Sequence, residues 1–217
     1  MDLSTVAGLL LQGFQLSAII FIITLIGALP LGIVVALLRM SRVKVVSWIA
    51  QLFISIMRGT PLMLQLMAIM FGPYYLFGLS LGPDWKTWAC CIGFIINYSA
   101  YFAEIYRSGI QSVPKGQYEA AEVLGYSNSQ TFFKIIMPQV VKRILPAIGN
   151  EIITLVKDTS LAFVLGIGEM FSAAKAVAAK EVSMIPYALS ALIYWVFCLV
   201  ISWILNAIEK RMSYYHV

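Results

Sequence analysis

Arg58, Glu104, Glu151, Lys157 and Asp158 are ionisable residues set in segments that are otherwise apolar. An ionised side chain at mid-bilayer costs on the order of 2.5–3.5 kcal/mol on insertion scales, so it is retained where it meets water, a partner or a solute. Their spacing is helical. Gln51, Ser55, Arg58, Leu62 and Gln65 recur at intervals of 4, 3, 4 and 3, which places them on one stripe of one helix. Asn97, Tyr101, Glu104 and Ser108 repeat the pattern, and Glu151, Thr154 and Asp158 share a face with Asn150 beside it. Three polar stripes, Thr60 adjoining the first, can line one water-accessible path, with Asn97 and Glu104 central on theirs. They can also act as glue between helices, with Arg58–Glu104 or Lys157–Asp158 pairs locking a bundle. For Lys157 and Asp158 the locking role is the expectation. The five charges sum to three negative and two positive. A solute with one positive charge would balance the surplus in a low-dielectric cavity, as would protonation of one carboxylate or its pairing with Arg58.

Other chemistries lack their parts. No G-x-x-x-x-G-K-[ST] phosphate loop occurs, so this chain is not expected to bind ATP. The single histidine, His216, lies in the tail, which leaves no H-E-x-x-H metal site and no histidine-based triad within the apolar segments. Ser108, in Tyr106-Arg107-Ser108-Gly109, therefore has no base, and an intramembrane hydrolase is set aside. Cys90, Cys91 and Cys198 lie in apolar segments without C-x-x-C spacing and read as small buried hydrophobes. Catalytic residues, metal and cofactor are all expected to be absent from this chain.

The elements that must carry these stripes follow from composition. Of 217 residues, 61% are hydrophobic and 12% charged, against about a quarter charged in soluble domains. Lipid must cover the excess. Five stretches approach the roughly 20 apolar residues that cross a bilayer: about 16–38 with a kink at Pro30, 48–71 interrupted at Arg58-Gly59-Thr60-Pro61, 88–106, 144–165 and 187–208. The fold class expected is an all-α polytopic membrane protein of about five transmembrane helices, one domain over 1–217, with no internal repeat.

The net charge of +5 fits basic loops rather than nucleic acid. Arg39, Arg42 and Lys44 follow the first stretch, and Arg107, Lys115, Lys134, Lys142 and Arg143 follow the third; Lys210 and Arg211 sit in the tail. By the positive-inside rule the N-terminus lies outside and the C-terminus in the cytoplasm; Lys175 and Lys180 run against the trend. Asp2 and the absence of an early Lys or Arg argue for a retained span rather than a cleaved signal. Trp48, Trp85, Trp88 and Tyr187 stand near stretch ends as interfacial anchors.

Between the third and fourth stretches, about 112–138, the chain is half polar. Gln117–Leu124 is rich in helix formers, Gly125 suits a helix end, and Ser127 or Asn128 can cap a second helix through Phe132, Phe133, Ile135 and Ile136 to Pro138. The expectation is a water-facing helix-turn-helix elbow, docked in a partner's groove or lying on lipid.

The order Glu119-Ala120-Ala121, three residues, Gly125, nine residues, Ile135, one residue, Met137-Pro138 resembles the EAA loop of ABC-importer permease subunits, with Met137 where Leu is usual. Arg58-Gly59-Thr60-Pro61-Leu62, Gln65-Leu66, Ser99-Ala100-Tyr101, Glu104, Arg107, Gly109-Ile110, Ser112-Val113, Gly116-Gln117, Gln139, Pro146, Asn150 and Lys157-Asp158-Thr159-Ser160-Leu161 are similar to motifs of the polar amino acid uptake permeases of histidine, arginine and glutamine type. The ordered set spans Arg58 to Leu161.

The resemblance implies a multi-pass subunit of a bacterial inner-membrane importer that works by alternating access. Glu119, Ala120, Ala121 and Gly125 would couple to a cytoplasmic ABC ATPase dimer, which binds the ATP and Mg. Other partners would be an extracellular or periplasmic amino-acid-binding protein and a second permease subunit, a homodimer being favoured over a heterodimer. Ser55, Arg58, Thr60, Gln65, Asn97, Tyr101, Glu104, Glu151 and Asp158 would line the pore, with a polar, basic amino acid as substrate. The alternative reading is a gated channel or ion-coupled secondary transporter.

Overall fold

A computed structural model describes residues 1–212; His216 and the rest of 213–217 lie outside the described residues. The described residues are helical with no strand. In chain order they form α1 (Leu3–Arg39), α2 (Lys44–Gly59), α3 (Leu62–Phe77), α4 (Trp85–Gln111), α5 (Lys115–Val123), the short α6 (Asn128–Gln130), a π segment (Thr131–Ile136), α7 (Met137–Asp158), a 3-10 turn (Thr159–Leu165), α8 (Met170–Glu181) and α9 (Ile185–Arg211). By length and composition α1, α4 and α9 can each cross a membrane alone. The bent pairs α2 with α3, and 128–165 with α8, bring the total to as many as five.

Helix α4 is the centre of the bundle. It packs against α1, α2, α3 and α7, and its Phe94, Tyr98 and Phe102 fill the main core with Ile20 and Ala28 of α1 and Leu155 and Val156 of α7. Lipid tails are as apolar as leucine, so helices associate in a membrane by close packing of small residues. The α1–α4 seam shows this: a Cβ on Gly32 would stand 2.8 Å from Phe102 Cβ and 3.2 Å from the Ser99 carbonyl. By contrast Ile22 and Ile26 of α1, and Leu192, Trp195 and Trp203 of α9, are exposed. These are lipid-facing surfaces on the periphery.

Three expectations are corrected by the structure. The second stretch is not one helix. It breaks at Thr60-Pro61 and turns by 109°, because proline lacks the N–H that would continue the ladder and disfavours α geometry at the residue before it. The stripe from Gln51 to Gln65 therefore does not stay on one straight face. The fourth stretch starts earlier than expected, and its end narrows into the 3-10 turn, which Gly166 closes in the left-handed region. Third, the elbow's second arm does not end at Pro138. It passes through the π segment into α7, the amide of Met137 bonding Phe132 O. The wider π turn absorbs a proline that cannot bond its i−4 carbonyl. Helix α1 likewise continues through Pro30 without a break.

Candidate functional site

Two features stand at the ends of the α4–α7 pair: a polar cluster between the helices and the elbow that joins them.

The cluster begins at the α2–α3 break. Gln65 Nε2 donates to Met57 O at 3.0 Å, Thr60 O at 3.1 Å and Thr60 Oγ1 at 2.7 Å. Asn97 Nδ2 donates to Gln65 Oε1 at 2.9 Å and Met57 O at 3.1 Å. Asn97 is only 3% exposed. Thr60, Gln65 and Asn97 thus satisfy backbone carbonyls freed by the break and hold its angle; in a bilayer those carbonyls would otherwise lack partners. The turn leaves Ser55 and Arg58 exposed on α2. The Arg58 guanidinium lies over the Tyr101 ring, 5.4 Å from its centroid, in cation–π range.

One turn along α4, Glu104 and Arg107 pair at 2.6 Å, with the Arg107 Nε also on both carboxylate oxygens. The alternative of an Arg58–Glu104 ion pair gives way to this local one, because a residue three positions along the same helix reaches the carboxylate without crossing between helices. Arg58 remains within electrostatic reach of Glu104 and of Glu151. On α7, Asp158 Oδ2 accepts from the Tyr98 hydroxyl at 2.7 Å. Lys157 faces the other way, into an open cleft of about 630 Å³ lined by Ser160, Tyr194 and Cys198 among others. The Lys157–Asp158 lock is therefore not formed: neighbours on a helix point about 100° apart. Among the named residues, Arg58 is brought to Tyr101, Glu104 and Glu151, and Asp158 is tied to α4 through Tyr98; Thr60, Gln65 and Asn97 brace the turn, and Ser55 stands exposed on α2.

Two polar residues went unread in the sequence. Tyr98, at 2% exposure, sits among aromatics and reads as core. Glu169 is fully buried between two helical pieces; its carboxylate accepts from the amides of Phe171 at 2.6 Å and Ser172 at 2.7 Å, capping α8, with the Tyr194 hydroxyl at 3.5 Å. A Glu three residues before a small polar Ser is the only local signal for that cap, and Glu is an unusual capping residue.

The elbow is closed by backbone geometry. Gly125 adopts φ 77°, its amide bonds Glu122 O at 2.9 Å, and the Tyr126 amide bonds Ala121 O at 3.0 Å. These are the two bonds of a Schellman motif, which needs the left-handed residue that glycine supplies. Ser127 then forms a reciprocal capping box with Gln130, so turn and second arm are both fixed. Ala121 is 1% exposed, whereas Glu119 and Ala120 are open. Val123 and Leu124 are 88% and 73% exposed, and Phe133 is also open. A rigid joint with apolar tips and small neighbouring side chains is shaped to enter another protein.

The family model for the binding-protein-dependent transport system inner membrane component matches residues 28–214. The chain is 37% identical over 205 residues to the arginine transport system permease protein ArtQ of Bacillus subtilis, covering 94% of this chain and 92% of that one. It is 36% identical over 196 residues to the L-cystine transport system permease protein TcyB of the same organism, covering 89% and 82%. Among solved structures, an amino acid ABC transporter crystallised with histidines superposes with a TM-score of 0.87 at 34% identity, covering 97% of this chain and 99% of that one. The MetNI methionine ABC transporter, in an inward-facing conformation, shares the fold at 14% identity with a TM-score of 0.70, covering 98% and 100%. A gated channel and an ion-coupled transporter are thereby set aside, and the chain belongs to the binding-protein-dependent transport system inner membrane components, as a transport subunit and not an enzyme.

Proposed function

We propose that this chain is the pore-forming permease subunit of an ABC importer for amino acids, and that its substrate is basic. One observation carries the mechanism: the rigid elbow joins α4 to α7, the same two helices that carry Tyr101, Glu104, Glu151 and Asp158. A push on the elbow reaches these residues through the start of α7 and, across the short junction 112–114, the end of α4. In this reading Glu119 and Ala120, with exposed Val123 and Leu124, sit in a cytoplasmic ATPase subunit, while buried Ala121 and the Gly125 turn hold the elbow's shape. That separate ATPase dimer binds ATP and Mg, and a binding protein delivers solute from outside. The N-terminus is outside, the C-terminus is cytoplasmic, and 1–217 is one permease domain in a bacterial inner membrane.

A second permease subunit is part of this reading. Gln51, Ser55 and Arg58 are exposed together on α2, a polar face unsuited to lipid, and a homodimer covers both copies of that face by symmetry. The basic substrate is supported by local charge. With Glu104 paired to Arg107 and Lys157 turned away, Glu151 and Asp158 remain on one face of α7 with Arg58 as the nearby cation. One negative charge is left for a cationic side chain. The named arginine permease and the structure with histidines agree with this; the cystine and glutamine permeases, at 36% and 33% identity, are the competing class.

The test is reconstitution of the permease with its ATPase and binding protein, followed by uptake of labelled arginine, lysine, histidine, glutamine and cystine. ATP-dependent uptake of arginine or lysine in preference to glutamine is expected. Preference for glutamine or cystine removes the basic assignment and leaves the importer. Uptake without the ATPase removes the importer.

A further inference from the structure

We propose that Arg143 is a positioning residue that ties α7 to the root of the elbow, so that α4, the elbow and α7 move as one piece. The proposal rests on reading the elbow as the coupling joint. Arg143 lies on α7 one turn beyond Gln139. Its Nη1 donates to the backbone carbonyl of Ser112 and, at 3.1 Å, to Ser112 Oγ. Ser112 is the residue that ends α4. The last carbonyls of a helix have no partner within it, and a cation there is favoured by the helix dipole. Ser112 Oγ is itself held, donating to Gly109 O at 2.7 Å. The guanidinium therefore grips a fixed end.

What lies around Arg143 shows why a hydrogen bond is used there. On one side Val113, Ile136, Val140 and Ile144 form a tight apolar cluster. On the other, α4 and α7 part around an open cleft of about 370 Å³ bordered by Ser108, Ala147 and Arg143. At its edge Gly109 packs directly on Ile144, and the Arg143–Ser112 contact is the polar bond that adds to this packing at the end of α4. The cleft continues the polar stripes: Ser108 extends the Tyr101–Glu104 stripe of α4, and Ala147 lies on the α7 face of Glu151 and Asp158. Arg143 stands about four turns from Asp158, roughly 22 Å along the helix. Immediately after Ser112 the chain enters Val113, Pro114 and α5. Without the bond the junction is held to α7 by the Val113 cluster alone, and part of the elbow's motion is spent at Ser112 before it reaches Tyr98 and Asp158.

The experiment uses the intact complex in proteoliposomes and measures uptake and ATP hydrolysis together. Arg143→Gln is expected to keep hydrolysis within about twofold of wild type while uptake per ATP falls on the order of tenfold, the factor a hydrogen bond to a charged group carries. Arg143→Lys restores most of that ratio, because an ammonium reaches the same carbonyl. Ser112→Ala keeps the carbonyl and loses the weaker bond, so its ratio falls by only about twofold; it also serves if Arg143→Gln does not assemble. Wild-type uptake per ATP in Arg143→Gln overturns the proposal. So does a parallel loss of hydrolysis, uptake and complex yield that lysine does not repair, since that is the pattern of a packing residue. Gly125→Val in the same assay separates the two levels: a normal ratio there sinks the coupling reading itself, while an uncoupled Gly125→Val beside a normal Arg143→Gln sinks only the role of Arg143.

Discussion

At the residue scale, the decisive contact joins a residue the sequence announces to one it conceals. Asp158 is conspicuous because a carboxylate in an apolar stretch needs a reason. Its donor, Tyr98, is one residue off the polar stripe of Asn97 and Tyr101, and an aromatic among Phe94 and Phe102 looks like core. Tyr98→Phe keeps the ring packing and leaves the buried carboxylate without its donor. Hydrogen bonds to charged groups are worth about 1.5–3 kcal/mol, so the Tm should fall modestly, and uptake per folded complex should fall on the order of tenfold. Unchanged uptake would show that the hydroxyl serves neither path nor helix position. Glu169 makes the opposite case. Its carboxylate caps α8 while fully buried, and periodicity could not flag it because it lies between elements. Glu169→Ala leaves two amides unsatisfied and should cost about 1–2 kcal/mol, read as a lower Tm in detergent. An unchanged Tm would mean that water or a shifted backbone replaces the cap.

Elements were legible where their signals were local. Gly125, the Ser127 cap and the helix formers before them defined the elbow because each bonds within a few residues, and the structure closes it through a Schellman motif and a capping box. What the sequence did not reveal was how proline acts. At Pro61 it ends a helix and turns the chain by 109°, while at Pro138 a π segment lets the helix run on. The difference lies in neighbours: Asn97 and Gln65 reach in to satisfy the broken turn, and such partners are set by tertiary structure. The elbow itself offers a paired test. Ala120 is open and Ala121 is 1% exposed. Ala120→Asp should leave thermal unfolding within about 0.5 kcal/mol of wild type, as for surface changes generally, yet reduce the ATPase recovered with the permease. Ala121→Asp should instead lower the Tm, because it buries an unpaired charge. If both variants retained the ATPase fully, the elbow would not be its docking site. Were Ala120→Asp the more destabilising of the two, the assignment of the faces would be wrong.

For the whole molecule, helical class, a multi-pass arrangement and family were within reach of one sequence, because hydropathy and motif order do not depend on which helices touch. Selectivity did depend on it. Along the chain Arg58 with Glu104 and Lys157 with Asp158 are available pairs; in the folded bundle Arg107 takes Glu104, Tyr98 takes Asp158 and Lys157 faces a separate cleft. The surplus negative charge survives with different owners. It now belongs to Glu151 and Asp158 against Arg58, two carboxylates seven residues and two turns apart on one face of α7. Glu151 lacks the tyrosine donor that Asp158 has, so it is the carboxylate free to meet a cationic side chain. Glu151→Gln removes that charge at nearly constant volume. For a basic substrate, arginine or lysine uptake should fall by about tenfold or more, as for the loss of a charge-assisted bond, and glutamine uptake, if any, should hold or rise. Hydrolysis stimulated by the loaded binding protein should fall with arginine uptake, because the same solute fails to be accepted. Equal effects on arginine and glutamine would place Glu151 in the shape of the path rather than in its choice of charge, and the basic specificity would then have no residue to rest on.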